Sequence, residues 1–182
     1  MNTSLVLTLI GADRPGLVEA VAKAVAEEGG NWVESRMARL AGKFAGVLRV
    51  EVPAERAGSL REALAGLKAR GLAIQCEEAV PDVPETGGGA GAVLVLEVIG
   101  HDRPGIMRDV SRAIAQRHVN VIALESEVFS AAMSGEQMFR AMCQLRAPAG
   151  VAMEDLRASL EAIASELQVD ITLEESASSG RV

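Results

Sequence analysis

The stretch Gly11-Ala12-Asp13-Arg14-Pro15-Gly16 occurs a second time in the chain, as Gly100-His101-Asp102-Arg103-Pro104-Gly105. The offset from Gly11 to Gly100 is 89 residues, and Asn31 and Asn120 keep the same offset. A repeat of this extent in a chain of 182 residues predicts two copies of one domain.

Each copy of the stretch joins a predicted strand to a predicted helix. Alternating β-forming residues precede it, and apolar residues at helical spacing follow it. The first glycine of each copy, Gly11 or Gly100, is expected to permit a sharp turn or a positive φ. Asp13 and Asp102 are expected to accept hydrogen bonds from the free N–H groups of the first helical turn.

The rest of the stretch predicts an open helix start. Pro15 and Pro104 preset φ for a helix and need no donor there. Gly16 and Gly105 leave the start of the helix without side-chain cover. Exposed amide donors at the positive end of a helix dipole suit a small carboxylate or phosphate. A well-capped connection without a ligand is the alternative interpretation; the duplication favours the ligand site without deciding between them.

The composition is that of a globular protein, with 49% hydrophobic and 24% charged residues. An uninterrupted apolar run long enough to span a membrane is missing from the sequence. The N-terminus lacks a basic segment followed by an apolar one, so we expect no signal peptide and a cytoplasmic protein. The net charge of −7 argues against direct nucleic-acid binding, because neutralising phosphates requires clustered Lys and Arg.

Residues that could carry catalysis or bind a metal are few. Cys76 and Cys143 lie in different repeats inside strand patterns, which predicts small buried thiols instead of a disulfide or metal pair. The two histidines form no Ser-His-Asp pattern, and nucleotide-binding glycine motifs and Cys-x-x-Cys are absent from the sequence. We therefore expect a protein that is not an enzyme and holds no metal.

Hydrophobic periodicity predicts the order strand, helix, strand, strand, helix, strand in each repeat. The predicted segments are 4–10, 15–28, 31–40, 44–52, 57–70 and 72–78, then 92–99, 104–117, 120–131, 136–147, 152–166 and 169–175. Two split β-α-β crossovers place both helices on one face of a four-stranded antiparallel sheet. The predicted fold class is α+β, with two ferredoxin-like βαββαβ modules.

Composition also predicts where the domains end. The first domain is expected over residues 1–79 and the second over 92–175. Residues 80–91 are rich in Pro and Gly, which is typical of a linker. Residues 176–182 are small and polar, which predicts a disordered tail.

The combination of a strand, Gly-x-Asp-Arg-Pro-Gly, a helix and an Asn at the start of the next strand resembles the ACT domain. That family comprises small βαββαβ modules that bind amino acids and regulate enzymes or transcription. The resemblance covers nearly the whole chain, as two modules in tandem. The segment 31–38 followed by 44–46, and the segment 133–139, are similar to the glycine cleavage system transcriptional repressor group.

In that family the ligand lies where two modules meet, beside the loop after the first strand. The resemblance therefore implies ligand-binding roles for Gly11, Asp13, Arg14, Gly16 and Asn31, and for Gly100, Asp102, Arg103, Gly105 and Asn120. His101 is a further candidate for ligand binding because of its loop position beside the second predicted site, although Ala12 serves at that position in the first repeat. It implies an amino-acid effector, glycine in the named group, and no other cofactor. Because His101 replaces Ala12 and the second hairpin is longer, either the two sites differ or one is vestigial.

The resemblance implies an amino-acid-sensing regulator of glycine cleavage that binds a transcriptional activator and not DNA. A free-standing regulatory subunit of a metabolic enzyme is one alternative. An RNA-binding module is another, because it shares the topology, but it would need aromatic and basic residues on the open sheet face. A homo-oligomer is expected, since pairing of modules would cover exposed strand edges.

Overall fold

The computed structural model describes residues 1–80 and 91–176. The chain divides into two compact units, Met1–Pro84 and Glu85–Val182. We call the described residues of the first unit module 1 and those of the second module 2. The predicted linker, apart from its two end residues, and the predicted tail beyond Ser176 lie outside the described residues.

Module 1 has a single antiparallel sheet with two helices. Its elements are β1 (Asn2–Ala12), α1 (Leu17–Glu27), β2 (Asn31–Leu40), β3 (Lys43–Pro53), α2 (Ala57–Gly66) and β4 (Leu72–Glu78). Short 3₁₀ turns, Ala54–Arg56 and Leu67–Arg70, flank α2. The strand order is β2-β3-β1-β4.

Module 2 repeats this arrangement. Its elements are β5 (Ala92–His101), α3 (Ile106–Gln116), β6 (Asn120–Ser130), β7 (Gln137–Ala147), α4 (Met153–Leu167) and β8 (Val169–Glu175). The strand order is β6-β7-β5-β8, again with antiparallel neighbours. The predicted fold class, two ferredoxin-like βαββαβ modules, is confirmed.

Each module has its own core between the sheet and its helices. In β1 the alternate residues Leu5, Leu7 and Leu9 are fully buried, as period-two burial requires. Val21 of α1 and Leu60 of α2 belong to the same cluster. Module 2 builds the equivalent cluster from β5, β7 and the apolar sides of α3 and α4. The opposite side of each sheet is its open face.

The two hairpins differ in length, as the sequence predicts. Leu40 pairs with Lys43, so Ala41 and Gly42 form a two-residue turn. Both have positive φ, 48° and 74°, which is the type I′ geometry that suits the twist of a hairpin. The β6–β7 loop spans residues 131–136 and contains Gly135 at φ 71°.

Candidate functional site at the strand-to-helix turn

Both helices of the repeated turn begin at the residue after its second glycine. Gly16 and Gly105 are the N-caps of α1 and α3, with φ of 87° and 103°, and neither cap has a side-chain hydrogen bond. The helices therefore start two residues later than predicted. The prediction that Asp13 caps the helix is wrong, because the left-handed glycine turns the chain after the aspartate.

The aspartates instead connect the turn to the hairpin. Asp13 N–H donates to Gly42 O over 3.0 Å, and Asp102 N–H donates to Gln137 O over 2.9 Å. The Asp13 carboxylate also lies 2.5 Å from Arg39 Nε, near the end of β2. As with Asp13, the predicted capping role of Asp102 is wrong.

Gly11 and Gly100 have a different role from the predicted one. They lie inside β1 and β5 and not at a positive φ. A Cβ on Gly11 would be 2.6 Å from the Gly71 carbonyl oxygen, and one on Gly100 would be 2.6 Å from Val169 Cγ1. Glycine is required because the neighbouring strand approaches the backbone closely.

The motif arginine reaches the same place in both modules. Arg14 Nη2 donates to Arg70 O over 3.5 Å, just before β4. Arg103 Nη2 donates to Gln168 Oε1 over 2.9 Å, just before β8. Each guanidinium thus links the first turn of the module to the connection that enters its last strand.

A cleft of about 290 Å³ opens beside the turn in module 1. It is lined by Arg14, Pro15, Gly16, Leu17, Ala20, Leu67, Arg70 and Leu72. No heavy atom lies within 4 Å of where a Gly16 Cβ would be. The first N–H groups of a helix lack intrahelical partners, so the start of α1 offers uncovered donors to this cleft. Its volume is at the small end of ligand-binding sites.

The start of α3 in module 2 carries its own ion-pair cluster. Asp109, at the position of Ala20, accepts hydrogen bonds from Arg108 Nη2 at 2.9 Å and Arg112 Nη2 at 2.5 Å. The Asp109 side chain is only 19% exposed. Arg108 Nη2 lies 3.2 Å from where a Gly105 Cβ would be. The two helix starts therefore differ: that of α1 is open, and that of α3 is covered.

The electrostatics of the cluster agree with this geometry. The hydrogen bond from Arg108, together with the charges of Arg108 and Arg112, holds the pKa of Asp109 below its usual value. The same hydrogen bond raises the pKa of Arg108. The carboxylate is therefore firmly ionised beside the start of α3.

The two asparagines do not lie with the turn of their own module. Asn31 pairs with Glu51, and Glu51 pairs with Ser4 at the beginning of β1. Gly11 is seven residues further along β1, about 23 Å away at strand spacing. Asn120 is placed in the same way, through Arg146 and Val93. The candidate residues thus fall at two ends of each sheet.

His101 is the last residue of β5, where it is exposed and pairs with Met138. Its counterpart Ala12 pairs with Lys43. The aromatic residues of the third strands, Phe44 and Phe139, pack toward the cores, so they are not on the open faces where bases would stack.

The thiols and other ligating groups form no further centre in the described residues. Cys76 and Cys143 are both free, and burial raises the pKa of each thiol. No cluster of three or more His, Cys, Asp or Glu side chains in residues 1–80 and 91–176 could hold a metal ion. Among the same residues, no helix is long and apolar enough to cross a membrane.

Comparison with known proteins gives the family. Residues 3–77 and residues 94–161 each match a family model described as ACT domain. A crystal structure of an unknown protein from Galdieria sulphuraria is 29% identical with a TM-score of 0.85, over 97% of this chain and 100% of that one.

A candidate glycine cleavage system transcriptional repressor is 20% identical with a TM-score of 0.69, over 96% of this chain and 98% of that one. This likeness shows the shared fold. No curated protein matches the sequence. Since the two family models together match well over half of its residues, the chain belongs to the ACT domain family, with two ACT domains in tandem.

Proposed function

We propose that this chain is a regulatory protein that senses a small amino acid, and that module 1 holds the effector in the cleft at the start of α1. The observation that carries the proposal is the cleft itself. It combines an uncovered helix start, the guanidinium groups of Arg14 and Arg70, and a volume of about 290 Å³.

The two walls of the cleft suit the two ends of an amino acid. The start of α1 and Arg14 would hold the α-carboxylate through N–H donors and positive charge. The turn Leu67–Arg70 ends at the opposite wall, where the negative end of its backbone dipole would favour an ammonium group. Leu17, Leu67 and Leu72 would limit the size of the side chain.

Module 2 is proposed not to bind the effector in this way. The carboxylate of Asp109 already lies at the start of α3 with two arginines around it. An effector carboxylate would have to displace this cluster, which costs three charged hydrogen bonds, two from Arg108 and one from Arg112. We therefore expect one effector for each chain.

The proposed site is tested by replacing the motif arginine in each module and measuring effector binding. Thermal-shift titrations with glycine, serine and the branched-chain amino acids should identify an effector that stabilises the protein. Arg14→Met should raise the dissociation constant by about 10-fold to 100-fold, since a charged hydrogen bond is lost. Arg103→Met, the same change in module 2, is the control and should bind normally. Equal loss in both variants would contradict the proposed site.

We further propose that the regulated process is glycine cleavage and that the chain acts by contacting an activator protein. The shape shared with the candidate repressor supports this assignment. The charge of module 2 supports a protein partner instead of DNA, because residues 91–176 carry thirteen acidic side chains against seven arginines and no lysine.

The partner class can be decided by affinity purification of the tagged chain with mass spectrometry, combined with a gel-shift assay on glycine cleavage promoter DNA. We expect an activator among the bound proteins and no shift of DNA by the chain alone. Co-purification with a metabolic enzyme, and no change in glycine cleavage transcripts when the chain is deleted, would favour a regulatory subunit instead.

A further inference from the structure

The open face of the module 1 sheet has an apolar centre. Ala38, Ala45, Ile10 and Ala73 form one row across all four strands. Ile10 is 52% exposed, and Val47, next to this row on β3, is 48% exposed. Contiguous exposed apolar side chains on a sheet face mark a surface for association.

Module 2 provides an internal comparison, because its sheet has the same topology. The equivalent row there is Glu127, Arg140, Ile99 and Asp170. Arg140 Nε also donates to Glu97 Oε1 over 2.9 Å on the same face. The open face of module 2 therefore carries charges at the positions where module 1 has alanines.

The charges around the apolar centre of module 1 are balanced. Three are acidic and three are basic: Glu34, Glu51, Glu77, Arg36, Lys43 and Arg49. Under a two-fold axis such a surface can meet its own copy with opposite charges in reach. The open face of module 2 has five acidic residues against two arginines and would repel its copy.

The size of the face fits a modest dimer interface. Three strands of ten or eleven residues and one of seven cover roughly 20 Å by 30 Å, or about 600 Å² for each copy. Two such faces together hide about 1,200 Å², which is the lower end for specific complexes. The area therefore suffices for a dimer of moderate affinity.

We infer that the open sheet face of module 1 is a self-association surface, on which two copies of this chain pack face to face about a two-fold axis. The central contacts come from Ile10 and Val47 of each copy. This surface is separate from the strand edges and is independent of the proposed effector.

The experiment measures the mass of the full chain by light scattering and sedimentation from about 1 µM to about 200 µM, the range suited to an interface of this size. The wild type should dimerise within it. Val47→Asp should weaken the dimer at least ~100-fold, because two carboxylates would meet near the axis. Ile10→Asp is the second variant, and circular dichroism verifies that both are folded.

The control is Val128→Asp, which places the same charge on the helix side of the module 2 sheet and not on an open face. Val128 is 51% exposed and lies on β6, the edge strand of module 2. This variant should dimerise like the wild type. The inference is overturned if the wild type stays monomeric throughout, or if Val47→Asp and Ile10→Asp both fold and still dimerise. It is also overturned if Val128→Asp alone breaks the dimer, which would place the contact on the β6 edge.

Discussion

At the scale of single residues, the glycines of the repeated turn serve two different needs. Gly16 and Gly105 supply a left-handed φ at the helix start. Gly11 and Gly100 make room for the last strand of the module. A sequence shows that a glycine is present, but Gly11 meets Gly71, which is 60 residues away, so its steric role emerges only from the packed sheet.

Replacing Gly11 by Ala should lower the free energy of unfolding of module 1 by about 1–3 kcal/mol, since the new Cβ would overlap the Gly71 carbonyl. Urea denaturation measures the change. Gly58→Ala is the control, because Gly58 lies in α2 with open space around its Cβ position. That variant should be neutral or more stable, by up to about 1 kcal/mol. Equal stability of wild type and Gly11→Ala would refute the steric role.

Asp109 should make the stability of module 2 depend on pH. Its pKa is lower in the folded protein, so it contributes stability above its unfolded pKa of about 4. That contribution is lost as the pH falls through the lowered folded value. Asp109→Asn should therefore melt below the wild type at neutral pH, and the difference should shrink below about pH 4.

Thermal denaturation over this pH range tests the prediction. Asp155→Asn is the control. Asp155 is mostly exposed, and its surface ion pair with Arg117, at 3.3 Å, contributes little to the free energy of unfolding. A difference between Asp109→Asn and wild type that persists unchanged in acid would point to packing and not to charge.

At the scale of elements, the two modules use different residues in the left-handed turns that follow equivalent helices. After α1 the chain turns through Gly29 with φ 68°, and after α3 it turns through His118 with φ 56°. Likewise Gly71 precedes β4, whereas Gln168, at φ 53°, precedes β8. A side chain in the left-handed region is strained, and glycine is not.

His118→Gly should therefore stabilise module 2 by about 0.5–1 kcal/mol, the relief of strain less the added chain entropy. Chemical denaturation of the two proteins gives the difference. The reciprocal change, Gly29→His in module 1, should destabilise by a similar amount. Destabilisation by His118→Gly would mean that contacts of the imidazole stabilise module 2 by more than the left-handed backbone conformation costs.

Periodicity predicted the strands and helices of both modules well, because alternating and helical patterns directly reflect which side is buried. It missed the starts of α1 and α3 by two residues, because the left-handed φ of Gly16 and Gly105 delays the helix until the residue after each glycine. The separation of Asn31 from Gly11 follows from topology: α1 carries the chain back to the far end of the sheet. The sequence shows that Asp109 takes the position of Ala20 in the second repeat. That Asp109 covers the start of α3 could not be predicted from this difference, because the cover depends on where the helix begins.

At the scale of the whole molecule, duplication has produced two modules of one fold with different surfaces. Module 1 has ten basic and ten acidic residues, an open cleft and an apolar sheet face. Module 2 has an excess of acidic residues, a covered helix start and a charged face. Effector binding and self-association are both assigned to module 1 on these differences.

The most direct test of this account is isothermal titration of the full chain with glycine, then serine and the branched-chain amino acids. We expect saturable binding of one of them with a stoichiometry of one per chain, because the start of α1 is open and the equivalent start of α3 is covered. A stoichiometry of two would contradict the assignment to module 1. The absence of heat with every one of them would contradict amino-acid sensing itself.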